Sequence, residues 1–151
     1  MGTLSELTVR LQSAKRIALD TVVFIYAFER HPHYGARAQA VFRLLETGVC
    51  QGVVSVLALG EILTGVKKAD NPELLLRYRD VLTRFPGLSL LDADVAVMEA
   101  MSDLRVRYAL PTPDAIHLAT AIVGGAHAFV TNDARLQQVK ELEIILLADW
   151  E

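Results

Sequence analysis

The chain has 151 residues, 52% of them apolar and 22% charged, which is the size and composition of a compact domain and excludes disorder for the bulk of it. Its 18 acids against 15 bases leave a formal charge of −3, so it has neither the basic excess of a nucleic-acid coat protein nor an acidic tail. Mean hydropathy is high at +0.33, yet the longest stretch free of acids and bases, Ala115 to Asn132, is broken by His117, Thr120, Gly124, Gly125 and His127, and no segment reads as a membrane span. Residues Met1 to Glu6 lack the basic and apolar regions of an export signal, and Cys50 has no second cysteine to pair with, which together predict a cytoplasmic protein.

Along the chain, short apolar or β-branched runs alternate with longer stretches of helical period, the pattern of an α/β fold with a mainly parallel sheet. The first predicted strand is Arg16 to Leu19, closed by Asp20 and followed by the apolar run Val22 to Phe28. After the His31-Pro32 turn, Ala38, Val41, Phe42 and Leu45 recur at helical spacing and predict a helix over Ala36 to Thr47 that packs by one stripe. A strand over Gly52 to Ser55 leads into a helix over Val56 to Lys67, and beyond Asn71-Pro72 a second apolar stripe predicts a helix over Glu73 to Phe85. Pro86-Gly87 turns the chain into a strand over Leu88 to Leu91; Asp92 then stands where a capping carboxylate is expected before the run Val95 to Leu104. Thr112-Pro113 is a start signal, with Thr112 as the cap and Pro113 in the first helical position of a helix that Gly124-Gly125 ends. Strands over Ala128 to Thr131 and Ile144 to Leu147 complete the pattern. No repeat or long linker divides the sequence, which reads as one domain over residues 1–151, with 1–15 as an N-terminal extension that has room for a short helix.

The informative residues are acids set in apolar segments. Asp20 and Asp133 each follow an apparent core strand, the place where ligands of open α/β sheets gather. Asp114 sits in the first turn of the Pro113 helix, and Glu61 shares a helix face with Leu57, Ala58 and Thr64. Singly, the three aspartates read as well as caps and turn formers, while an ionised Glu61 on an apolar face costs several kcal/mol unless it is paired or coordinated. Converging like charges repel, and a hard divalent cation with oxygen ligands is their natural compensator.

Four segments, Leu19-Asp20-Thr21-Val22-Val23-Phe24-Ile25-Tyr26, Ser55 to Glu61, Asp114-Ala115-Ile116-His117-Leu118-Ala119-Thr120-Ala121 and Val130-Thr131-Asn132-Asp133, in this order and spacing, resemble the PIN domain, and within it the VapC-type toxins. The resemblance spans residues 16 to 147 and implies a three-layer α/β/α fold with a mainly parallel sheet of about five strands. It also implies that Asp20, Glu61, Asp114 and Asp133 form one pocket that binds Mg²⁺ or Mn²⁺ and cuts single-stranded RNA. Asp20 and Asp114 would be direct metal ligands, Asp133 a ligand, direct or through water, to a second ion, and Glu61 the group that orients or deprotonates water. Two positions depart from the family pattern: Val22 stands where Asn or Ser is frequent, and Arg135 where a further acid is frequent. The resemblance further implies an antitoxin partner, reached through the apolar Val22 to Phe28 segment and the Glu73 to Phe85 helix, and a homodimer.

Thr21, Thr131 and Asn132 are candidate supporting groups, the two hydroxyls reading equally as backbone caps. Arg105, Arg107, Lys67, Lys68 and Arg135 are candidate RNA phosphate contacts, against a plain reading as solvated helix ends. His31 and His33 read as solvent-facing loop residues; His117, three residues after Asp114, is placed where it could face the pocket, but reads rather as a satisfied interior histidine. Tyr26, Phe28, Cys50 and Trp150 read as core. Two other functions fit an acidic strand-end pocket: a PIN-like module that binds nucleic acid or protein without turnover, and a receiver-like domain that accepts phosphate on an aspartate, to which Glu61 would be superfluous.

Overall fold

A computed structural model describes residues 1–151. Five parallel strands, β1 (Arg16–Leu19), β2 (Gln51–Ser55), β3 (Leu88–Leu91), β4 (Ala128–Thr131) and β5 (Glu143–Leu146), form one sheet in the order β3-β2-β1-β4-β5. Seven helices link them: α1 (Leu4–Ala14), α2 (Thr21–Phe28), α3 (Gly35–Glu46), α4 (Val56–Lys68), α5 (Pro72–Arg84), α6 (Val95–Tyr108) and α7 (Thr112–Val123). No helix is long and apolar enough to cross a membrane.

The pleat of the strands builds the three layers. Successive side chains of a strand point to opposite faces. Ile17 and Leu19 of β1, Val54 of β2 and Val130 of β4 enter one core with Leu7, Leu11, Phe24, Val41, Ile62, Tyr78 and Leu82 from α1 to α5. The alternate residues Ala18, Val53 and Phe129 enter a second core with Leu104, Ala115, Leu118 and Leu136. The three central strands, buried on both faces, read as largely apolar runs, while the edge strands β3 and β5 are only partly buried and carry Ser89 and Glu143. The N-terminal helix contributes to the larger core, with Leu7 and Leu11 fully buried and a capping box between Thr3 and Glu6.

Strand order reverses between β1 and β4: β2 and β3 lie to one side of β1, β4 and β5 to the other. A crevice opens at the carboxyl ends of strands at such a switch point. Asp20 leaves β1 there, its backbone N–H donating to the Val130 carbonyl at 2.9 Å, and Asp133 follows β4 by two residues.

Local signals moved in several places. Asp94, not Asp92, caps α6, its carboxylate accepting from the Val97 N–H at 3.0 Å, because a cap must stand immediately before the first helical residue. Thr112 is already helical, and Pro111, without a side-chain cap, precedes α7. The last strand is Glu143–Leu146, since Leu147 begins a short 3-10 turn. His31 is half-buried and not simply solvated: its Nδ1 accepts from the N–H groups of His33 and Tyr34, both at 3.1 Å, and its ring stacks on Tyr34.

Candidate functional site

Three carboxylates meet at the switch point. Asp20 is the N-cap of α2, with Oδ1 accepting from the Thr21 N–H at 2.8 Å and Oδ2 from the Thr131 hydroxyl at 2.6 Å. The Thr131 oxygen in turn accepts from the Asp133 N–H at 3.2 Å, so one fully buried hydroxyl ties the ends of β1 and β4 together. Asp133 caps the 3-10 turn Ala134–Gln138 and is gripped by Arg135. Asp114 projects from the first turn of α7, with the Arg135 Nη2 3.7 Å from its Oδ2. The capping reading of Asp20 and Asp133 holds, and capping leaves both carboxylates lining the depression at the strand ends.

The electrostatics separate these acids. Burial, then the charge of Asp20, push the Asp114 carboxyl above the usual carboxylate range; Arg135 opposes them by more than Asp133 adds, and His117 opposes them less. Asp133 is held below that range, chiefly by its hydrogen bonds to Arg135. Asp114 is thus the acid whose ionised form the pocket favours least, first through burial and then through the charge of Asp20.

Glu61 stands in a second, adjoining group. Its Oε1 accepts from the Thr21 hydroxyl at 2.8 Å and faces the His117 Nε2 at 2.6 Å, while its Oε2 makes no hydrogen bond. Because a carboxylate only accepts, Nε2 is the proton-bearing nitrogen of this pair, and the buried Nδ1 is left without a partner. His117, 5% exposed, is thus interior yet half-satisfied, and it faces the site. Its bond to Glu61, with help from Thr21 and against partial burial, draws the Glu61 carboxyl below its ordinary range. The Glu61 side chain is 38% exposed, so it sits at the rim and not on a sealed apolar face. The place of His117 three residues after Asp114, one helical turn along the same face, is what lets it face the pocket; the preferred reading as a satisfied interior histidine holds for its burial and not for its Nδ1.

Other expected participants divide. Asn132 holds the frame, its Oδ1 accepting from the Ala148 N–H at 2.9 Å and its Nδ2 donating to the Tyr26 hydroxyl at 3.3 Å. Tyr26 is half-buried: it packs against the larger core and also lines the same depression as Asp20, Thr131, Asp133 and Arg135. Arg107 pairs with Glu141 at 2.7 Å, and the Arg105 Nε donates to the Leu110 carbonyl at 3.2 Å, so neither reaches the acids. Lys67 and Lys68 are exposed at the end of α4, roughly 9 Å along the helix from Glu61 at 1.5 Å per residue. Cys50 is buried, and desolvation raises its thiol pKa, as fits an inert core residue.

The donors that could hold a metal are carboxylate oxygens, the ligands a hard divalent ion prefers, and the pressure on Asp114 is the kind a cation relieves. The acids as they stand do not close three ligands around one point.

A family model described as PIN domain matches residues 17–142. The chain belongs to the PIN domain family. No curated protein matches it in sequence. Among solved structures, this PIN domain is similar to a chain of VapBC2 from Rickettsia felis bound to a DNA fragment from its promoter, at 20% identity and TM-score 0.70, covering 87% of this chain and 98% of that one. It is also similar to a chain of a toxin-antitoxin complex from Klebsiella pneumoniae (22%, TM-score 0.68, covering 87% and 97%). A third relative is a chain of VapBC-1 from nontypeable Haemophilus influenzae (18%, TM-score 0.67, covering 88% and 98%). At these identities the likeness is one of fold. The PIN domain here has the five-stranded parallel sheet and the two helical layers that its sequence predicts.

Proposed function

We propose that this PIN domain is a Mg²⁺- or Mn²⁺-dependent endoribonuclease that hydrolyses phosphodiester bonds of single-stranded RNA, acting as the toxin of a toxin-antitoxin pair. The observation that carries the reading is the placement of Asp20, Asp114 and Asp133 at the switch point of a parallel sheet, with the Arg135 Nη2 2.6 Å from Asp133 and 3.7 Å from Asp114, and with Asp20 held by Thr131 at 2.6 Å. Acids are brought together against their repulsion where a cation is to be held.

In this reading Asp20 and Asp114 hold the ion, with Asp133 as the third acid of the set. When bound, such an ion supplies Lewis acidity toward the phosphoryl oxygens and lowers the pKa of water. The chain's own groups do the rest. Thr131 orients Asp20 through its 2.6 Å hydrogen bond. Glu61, anchored through Oε1 and with Oε2 free, orients a water or accepts its proton. Arg135, with a side chain 70% exposed, brings positive charge to the mouth of the pocket, where a phosphate would arrive.

The partner would be an antitoxin protein, as the structures similar in fold come from toxin-antitoxin complexes. A depression between α2, α3 and α5, lined by Phe28, Phe42 and Phe85 with Arg30 and Arg77 at its rim, offers a surface for an apolar segment. Homodimerisation is the second association proposed, and sedimentation velocity of the isolated chain tests it.

The deciding experiment maps cleavage sites on total RNA for the wild type beside Asp114→Asn, with Mg²⁺, with Mn²⁺ and with a chelator. Metal-dependent products from the wild type alone support the proposal. Equal cleavage by both proteins refutes it, and RNA bound without products under either metal assigns the domain to binding without turnover.

A further inference from the structure

Lone-pair accounting separates the three aspartates. An ionised carboxylate offers about four acceptor positions. Asp133 receives the Arg135 N–H on Oδ1 at 3.0 Å, the Arg135 Nε on Oδ1 at 3.0 Å and on Oδ2 at 3.2 Å, and Nη2 on Oδ2 at 2.6 Å. Three N–H groups of one residue, with the Nε–H shared between both oxygens, thus occupy most of its acceptor capacity. Asp20 accepts only from Thr21 and Thr131, one bond on each oxygen, and keeps half of its capacity. Asp114 accepts no hydrogen bond, and its nearest cationic atom is the Arg135 Nη2 at 3.7 Å.

The charges agree with this count. Three carboxylates and one guanidinium in contact with two of them leave a net charge of two negative units, which a single divalent ion balances. Removing the guanidinium would free the lone pairs of Asp133 and leave a third negative unit for another cation. The grip is local, since Arg135 lies two residues from Asp133 on the same 3-10 turn and both its backbone and its side chain close on that carboxylate. Its Nη1 makes no hydrogen bond and stays open to a phosphate oxygen.

We propose that Arg135 takes the place of a second metal ion: its guanidinium reserves Asp133, and the pocket holds one divalent cation on Asp20 and Asp114. The inference rests on the metal-site reading above. It makes Arg135 a positioning residue with a fixed charge where the sequence alone offers a phosphate contact or a solvated arginine. The consequence is a pocket whose stoichiometry is set by a side chain and not by metal concentration.

The test is calorimetric titration of the metal-stripped full chain with Mn²⁺, which needs no turnover. The wild type is expected to bind one ion per chain, Arg135→Gln two over the same concentration range, and Arg135→Gln combined with Asp133→Asn one again. Arg135 is exposed, so these changes leave the core untouched, and circular dichroism confirms the fold. Two ions on the wild type, or one on Arg135→Gln, overturns the inference while leaving the site in place. Undiminished binding by Asp114→Asn, or none by the wild type, overturns the metal-site reading itself and the inference with it.

Discussion

Replacing His117 with Leu separates stability from chemistry in the Glu61 group. The variant loses a 2.6 Å bond to a carboxylate, but Glu61 is 38% exposed and water replaces part of what is lost, so the loss is about 1 kcal/mol. It also removes the buried Nδ1 that has no partner, a gain of about 1 kcal/mol. Net stability by urea denaturation should therefore change by less than about 1 kcal/mol. Activity should fall by roughly tenfold to a hundredfold, less than the loss of Glu61 itself, because a carboxylate anchored by Thr21 alone spends less time aimed at water. The sign of the pH effect follows from the hydrogen bond. His117 is the largest cause that holds the Glu61 carboxyl low, so without it the carboxyl rises and the acid limb of the rate profile moves to higher pH. The stabilising share of Glu61, present above its unfolded pKa and lost as pH falls through its depressed folded one, shrinks likewise. Stability lowered by more than about 3 kcal/mol, or an acid limb that does not move, would refute this reasoning.

Asp114→Asn should stabilise the metal-free chain at neutral pH by about 1 kcal/mol, a rise of about 2–4 °C in Tm, measured by thermal melting in chelator. Because the folded Asp114 carboxyl lies above its unfolded value, its contribution is fully present at acid pH and lost as pH rises through the folded value; the wild-type advantage of low pH should vanish in the variant. Tyr78→Phe removes a 2.6 Å bond from a side chain only 1% exposed to Glu29 and should cost about 1 kcal/mol by urea denaturation. Gly87→Ala places a Cβ 2.4 Å from the Leu45 carbonyl oxygen at a φ of +77° and should cost more than about 2 kcal/mol. Gly48→Ala, at φ +78° in open space, should cost only about 1 kcal/mol, so equal losses would mean that the backbone shifts to relieve the contact.

The central strands were legible in sequence because a parallel sheet covered on both faces makes them largely apolar, and four of the five predicted runs end where the structure ends them. The acids were legible because their positions after strands and in a first helical turn follow from local pattern. Caps were less so: Asp92 and Asp94 are equivalent by composition, and the start of α6 depends on where the chain leaves β3. Pairings between distant segments were not legible. Arg107 is taken up by Glu141 34 residues away, Thr21 reaches Glu61 across 40 residues, and His117 reaches it across 56.

The sequence by itself determined the alternation of strands and helices, the family resemblance and the four acids, since each depends on residue type and short-range spacing. The tertiary structure decided how those acids differ, because lone pairs are filled by whichever donors the fold brings near. Arg135 grips Asp133, Thr131 and Thr21 hold Asp20, His117 and Thr21 pin one oxygen of Glu61, and Asp114 accepts no hydrogen bond.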